Sequence, residues 1–103
     1  MHRVAYLIPV FNDQCGLNKS LQSLAESEGG FDVVVVDDGS TPCIAVEQNE
    51  FPFSVRLISL DENQGIEAAL NSGAEWIERE GYEFVARLDA GDVHEDAAAR
   101  ALR

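Results

Sequence analysis

The chain has 103 residues, 46% apolar and 25% charged, a balance that fits one soluble globular domain with a modest core and leaves no length for a second. Its 19 acidic residues against 7 Lys and Arg give a formal net charge of -12, which repels polyanions and excludes nucleic acid as an expected partner. An anionic ligand would need a metal cation or converging backbone N–H groups to offset that field. There is neither a signal-peptide pattern nor an apolar run long enough to span a bilayer, so a cytoplasmic location is the expectation. Cys15 and Cys43 have no Cys-X-X-Cys spacing and no nearby histidine, which argues against zinc. Free thiols are expected, with a single disulfide as the alternative.

The first strand reads Val4-Ala5-Tyr6-Leu7-Ile8-Pro9-Val10, and Pro9 is expected to mark its end, because proline lacks the N–H that a central strand donates. After the loop Phe11-Asn12-Asp13, Leu17, Leu21 and Leu24 recur at helical spacing, with Asn12 or Asp13 as N-cap and Gly29-Gly30 as the stop. Phe31 to Val36 predicts the second strand. Its four consecutive valines, Val33 to Val36, suit a strand covered on both faces, as in a parallel sheet flanked by helices. A third strand is predicted over Phe53 to Leu60. Ile66, Ala69, Leu70, Gly73, Ala74 and Ile77 then lay an apolar stripe along a helix from Gln64 to about Glu80, which Gly81 ends. Tyr82 to Leu88 is the fourth strand, and an alanine-rich helix begins near Glu95. Trp76, Tyr82 and Phe84 read as packing residues. This alternation predicts an α/β fold, a Rossmann-like, mainly parallel sheet of about four strands with flanking helices and right-handed crossovers.

Each strand runs into a polar cluster: Pro9 to Asn12, Asp37 to Ser40, Asp61 to Gly65, and Asp89 to Asp92. Asp-Gly-Ser-Thr-Pro could be no more than a turn, since each residue suits turn geometry for its own reason. A parallel sheet, however, gathers its strand ends on one edge, and open α/β sheets bind ligands there. The opposite ends, Gly29-Gly30, Phe51-Pro52 and Gly81, carry no acidic pairs. Four coincident clusters therefore favour a carboxylate-lined site for a ligand rich in donors, such as a base and ribose, or for a metal bridging to phosphate.

Ile8-Pro9-Val10-Phe11-Asn12, Val36-Asp37-Asp38-Gly39-Ser40-Thr41, Asn63-Gln64-Gly65 with Asn71-Ser72-Gly73, and Arg87-Leu88-Asp89-Ala90-Gly91-Asp92 resemble, in order and spacing, the successive signatures of family-2 glycosyltransferases. The resemblance covers essentially the whole chain and implies part of a GT-A fold. It implies an enzyme that transfers a sugar from a nucleotide-diphosphate sugar to an acceptor hydroxyl, with Mg2+ or Mn2+ as cofactor. By that resemblance Pro9, Val10 and the loop through Asn12, together with Asp38, would contact the nucleoside, and Asp37 would shape the same loop. Asn63, Gly65 and Asn71 would line or brace the nucleotide pocket, and Asp89 would open the metal motif, with Asp92 as the remaining carboxylate. Arg87, two residues before Asp89 and so on the same strand face, would hold a phosphate or pair with a carboxylate, the pairing being favoured.

Two residues depart from the family pattern. Gly91 stands where the family's main metal ligand is expected, and Leu70 where a basic residue is common. Members also need a further stretch to supply the acceptor site and catalytic base, so the chain is read as residues 1–103 of a nucleotide-sugar-binding half, with the acceptor-binding half absent. No catalytic residue is assigned, and the acceptor is unknown. A sheet truncated in this way leaves an apolar face or strand edge that favours self-association, and the resemblance also admits a membrane-associated pathway. Two rival classes remain: a non-catalytic module that kept the fold and lost the metal, and a phosphoacceptor receiver domain built on Asp37 and Asp38. The receiver is disfavoured because no lysine lies beyond Lys19. Dinucleotide and P-loop chemistry lack their glycine motifs, and His94 is unassigned.

Overall fold

A computed structural model describes residues 3–27 and 30–91. Its elements are β1 (Val4–Val10), α1 (Gln14–Ala25), β2 (Asp32–Asp37), a short 3-10 turn (Gln48–Glu50), β3 (Val55–Ser59), α2 (Ile66–Arg79) and β4 (Phe84–Arg87). The four strands form one parallel sheet in the order β3-β2-β1-β4. The chain lays down β1, β2 and β3 toward one edge, then returns to place β4 on the other flank of β1. The order therefore reverses between β1 and β4, and the carboxyl ends of those two strands border the crevice that such reversals open in α/β sheets.

Strand alternation sends successive side chains to opposite faces. Tyr6, Ile8, Val10, Val33, Val35, Ala86 and Leu88 pack with Leu17, Leu21 and Leu24 of α1. Ala5, Leu7, Val34 and Val36 pack with Ala69 and Ile77 of α2. The sheet is thus covered on both sides, and Val33 to Val36 are fully buried. Helix α2 approaches closely because residue 73 is glycine: a Cβ there would lie 2.3 Å from Leu7 Cδ1 and 3.0 Å from Val36 Cγ2.

Several expectations need correction. Pro9 does not end β1 but pairs with Val36 inside it. The carbonyl of Val10 accepts from Asp38 on the β2 side, so by alternation the missing donor of Pro9 faces β4, just past Arg87, the last residue paired there. Helix α1 stops at Ala25, before Gly30, because the N–H and hydroxyl of Ser27 both turn back to Leu24 O, at 3.1 and 2.7 Å. Strands β3 and β4 are shorter than the apolar runs, since pairing to their neighbours ends first. Phe84, read as a packing residue, is 41% exposed on edge strand β4. The helix expected near Glu95 lies outside the described residues, as do Asp92 and His94. Both cysteines are free and exposed.

Candidate functional site

The carboxyl edge is built on two adjacent carboxylates with different tasks. Asp37, 1% exposed, ends β2 with its side chain on the α1 face. Its Oδ1 accepts from the N–H of Ser40 at 2.9 Å and its Oδ2 from that of Ile44 at 3.0 Å. It thereby folds the loop that follows. Asp38, 4% exposed, turns to the α2 face. Its Oδ1 accepts from the N–H of Gln64 at 2.8 Å, and its Oδ2 accepts from the N–H of Gly65 and the side-chain amide of Asn63, both at 3.0 Å. Gly65, the N-cap of α2, has no side chain with which to cap. The Asp38 carboxylate meets the backbone donors at the start of that helix instead, where negative charge is favoured.

The loop after β1 is tied to the loop after β2. The N–H of Asn12 donates to Ser40 Oγ at 2.8 Å, and Asn12 Oδ1 accepts from the N–H of Thr41 at 2.9 Å. Asn12 adopts φ 51°, a left-handed conformation that asparagine tolerates better than most residues. Gln14 clips the same loop further along, bonding both the carbonyl and the N–H of Ala45 at 2.9 and 2.8 Å. Gly39 (φ 75°) lies so close to the next loop that a Cβ would sit 2.3 Å from the N of Asn63 and 2.4 Å from the carbonyl carbon of Glu62. Three strand-end loops are in this way locked together.

Between them opens a shallow cleft of about 250 Å³ lined by Pro9, Val10, Phe11, Asp38, Asn63, Gly65, Ile66 and Ala69. It gathers five of the expected residues: Pro9, Val10, Asp38, Asn63 and Gly65. Phe11 and Ile66, 49% and 51% exposed, give it an apolar rim. Ile66, expected in the core stripe of α2, lies instead at the helix start, where no strand covers it. Asn71 is exposed on α2 outside this lining. A larger hollow of about 500 Å³ opens at the opposite edge. There the Tyr82 hydroxyl donates to Asp32 at 2.6 Å, and the Arg3 guanidinium stacks 4.0 Å from the Tyr82 ring. Burial, then the Asp32 carboxylate, push the Tyr82 hydroxyl above the usual tyrosine range, with Arg3 acting the other way.

On the other flank of β1 stand Arg87 and Asp89. The Nε of Arg87 donates to Asp89 Oδ1 at 2.8 Å, with both side chains a little over two-fifths exposed. Ser20, a polar residue within the leucine stripe of α1 that nothing in the sequence singled out, braces this segment. Its hydroxyl donates to Asp89 O at 3.3 Å and accepts from the N–H of Gly91 at 3.0 Å. Gly91 (φ 97°) also donates to Gly16 O at 2.9 Å. Among the described residues no group of three Asp, Glu, His or Cys side chains could hold a metal ion. Asp89 is engaged by Arg87, and residue 91 offers no carboxylate. Among the described residues this segment therefore offers a divalent cation Asp89 alone, already bonded to Arg87.

An open parallel sheet whose order reverses at its carboxyl edge, with a polar cleft at that edge, defines an α/β domain of the Rossmann-like kind. Residues 6–102 match Glycosyl transferase family 2, and the chain belongs to that family. No curated protein matches it. Among solved structures it is similar to TarS of S. aureus, residues 1–349, in complex with UDP: 26% identity, TM-score 0.70, covering 96% of this chain and 31% of that one. The same protein in complex with UDP-GlcNAc gives 26% identity and TM-score 0.71, covering 96% of this chain and 30% of that one. The mannosyltransferase PcManGT of Pyrobaculum calidifontis, in complex with GDP-Man and Mn2+, shares the fold at 21% identity and TM-score 0.71, covering 94% of this chain and 30% of that one. This chain thus spans about a third of the structures it matches, in the N-terminal part of the GT-A fold.

Proposed function

We propose that this chain forms the donor site of a glycosyltransferase: it binds the nucleoside diphosphate of a sugar donor whose sugar passes to an acceptor hydroxyl. The observation that carries this reading is the cleft at the start of α2, where a buried carboxylate, an amide side chain and an apolar rim converge at the carboxyl edge of the sheet. Family membership over residues 6–102 and likeness to a structure holding UDP support it.

In this reading the base lies in the cleft between Phe11 and Ile66, whose exposed apolar surfaces take its faces. Asp38 accepts from an N–H on its edge. A carboxylate has about four acceptor positions, and three bonds to Asn63, Gln64 and Gly65 occupy its side chain. One position, on Oδ1, is left for the ligand. A base with a single ring N–H, such as uracil, suits that arrangement. The Asn12 and Asp37 bonds hold the loops so that the cleft exists before the ligand arrives, which lowers the ordering cost of binding.

Calorimetric titration with UDP, UDP-GlcNAc and GDP tests the proposal. Saturable binding of the uridine nucleotides that is lost in Asp38→Ala is the expected result. Absence of binding by all three, in a chain shown to be folded, would favour a module that kept the fold without donor binding.

A further inference from the structure

We infer that the diphosphate of the donor is held by Arg87, released from Asp89, and that this chain binds the nucleotide without a divalent cation. The inference rests on the donor-site reading above and concerns what neutralises the ligand's charge.

Three observations carry it. First, a diphosphate entering a chain of net charge -12 needs a local positive charge. Among the described residues, Arg87 is the cation that the strands bring to the carboxyl edge. Arg3 lies before β1, Lys19 in the middle of α1, Arg56 near the start of β3 and Arg79 at the end of α2. Second, Arg87 lies on the same side of the sheet as the cleft. Val85 packs in the α2-side cluster, so two residues on, Arg87 faces that side too, as do Leu7, Pro9 and Asp38. Arg87 belongs to β4 and Asp38 follows β2, with β1 between them. Two strand spacings, about 10 Å, separate them across the sheet, and the register sets Arg87 level with Val34, four residues or about 13 Å short of Asp38 along the strands; a nucleotide reaching from base to diphosphate, met by the long arginine side chain, covers that span. The phosphates then lie over the crevice where the strand order reverses.

Third, the described part of the segment that would carry a metal motif, residues 89–91, is built otherwise. Asp89 already has a guanidinium at 2.8 Å. Residue 91 is a glycine at φ 97°, a backbone conformation that a carboxylate-bearing residue rarely adopts, and it is fixed there by Ser20 and Gly16. The Arg87–Asp89 pair is half exposed and weakly held, as surface pairs are. An arriving phosphate can take the guanidinium through paired N–H bonds, a geometry to which arginine is suited.

The test compares uridine with UDP by calorimetry, in EDTA and in Mn2+, for the parent chain and for Arg87→Gln and Arg87→Lys. Expected are UDP affinities within about twofold in the two buffers and a loss of roughly tenfold in Arg87→Gln, one charge-assisted contact's worth. Arg87→Lys should recover part of that loss, and uridine should bind all three chains alike. UDP binding that vanishes in EDTA and returns with Mn2+ would overturn the inference while leaving the donor site standing. So would an Arg87→Gln chain that binds UDP as the parent does. Failure of uridine and UDP alike to bind the folded parent would instead remove the donor site, and this inference with it.

Discussion

Asp38→Asn is the most informative single change in this chain. The carboxylate takes one N–H on Oδ1 and two donors on Oδ2. An asparagine must therefore turn its NH2 toward at least one donor, and the less costly orientation places it against the N–H of Gln64. One buried acceptor is then lost and one backbone donor left facing another donor, which costs about 1–2 kcal/mol at the low end because Gln64 is exposed. The two bonds that survive, to Gly65 and Asn63, lose charge assistance, about 1 kcal/mol each. The sum is about 3 kcal/mol. For a domain of this size that corresponds to a fall in Tm on the order of 12 °C or more. Thermal and urea unfolding followed by circular dichroism reads it directly, and UDP titration below the lowered midpoint reads the site. Asp38→Glu serves as a control that keeps the charge but moves it out of register. An Asp38→Asn chain with Tm within 2 °C of the parent would refute the claim that this carboxylate joins the β2 loop to the start of α2.

Gly73→Val should cost about 2–3 kcal/mol, because its branches would be driven into Leu7 and Val36 beneath α2; urea unfolding measures this, and an unchanged midpoint would mean that the helix lies further from the sheet than described. The raised pKa of Tyr82 means that the folded state favours the neutral phenol. The stability linked to it is fully present below the ordinary tyrosine pKa and is lost as pH rises through the folded value. Tyr82→Phe should accordingly flatten the alkaline side of a stability-versus-pH curve and, at neutral pH, cost about 1 kcal/mol for the bond to Asp32. Phe11→Ala and Ile66→Ala, at exposed positions on the cleft rim, should each weaken UDP binding by roughly 5–30-fold with Tm unchanged, since a base loses one stacking face worth about 1–2 kcal/mol; equal affinities would place the base elsewhere. Ser20→Ala should lower Tm by several degrees, from about 1 kcal/mol for a buried bond to the Asp89–Gly91 segment.

Local pattern made much of this protein legible before its structure. The valine run Val33 to Val36 announced a strand covered on both sides, and the leucine and small-residue stripes announced the two helices that cover it. This works because side-chain periodicity is a short-range property, set by the backbone geometry of each element. Parallel strands must also end on one edge, so Pro9, Asp38, Asn63 and Gly65 could be assigned to a common place without knowing which strand lay beside which. What the amino-acid order alone could not decide is how the polar groups are spent. Asp38 takes donors 25 to 27 residues away, and Ser20 reaches partners 69 and 71 residues away. Those pairings depend on the β3-β2-β1-β4 order, and no local signal encodes that order. The same holds for Pro9, which is tolerated inside β1 because β4 ends one step short of it. The Arg87–Asp89 pair is the opposite case: its partners stand two residues apart on one strand face, so strand alternation alone already favoured it. Long-range hydrogen-bond pairing is settled by which elements the fold brings within about 3 Å of each other, and that is a property of the packed chain.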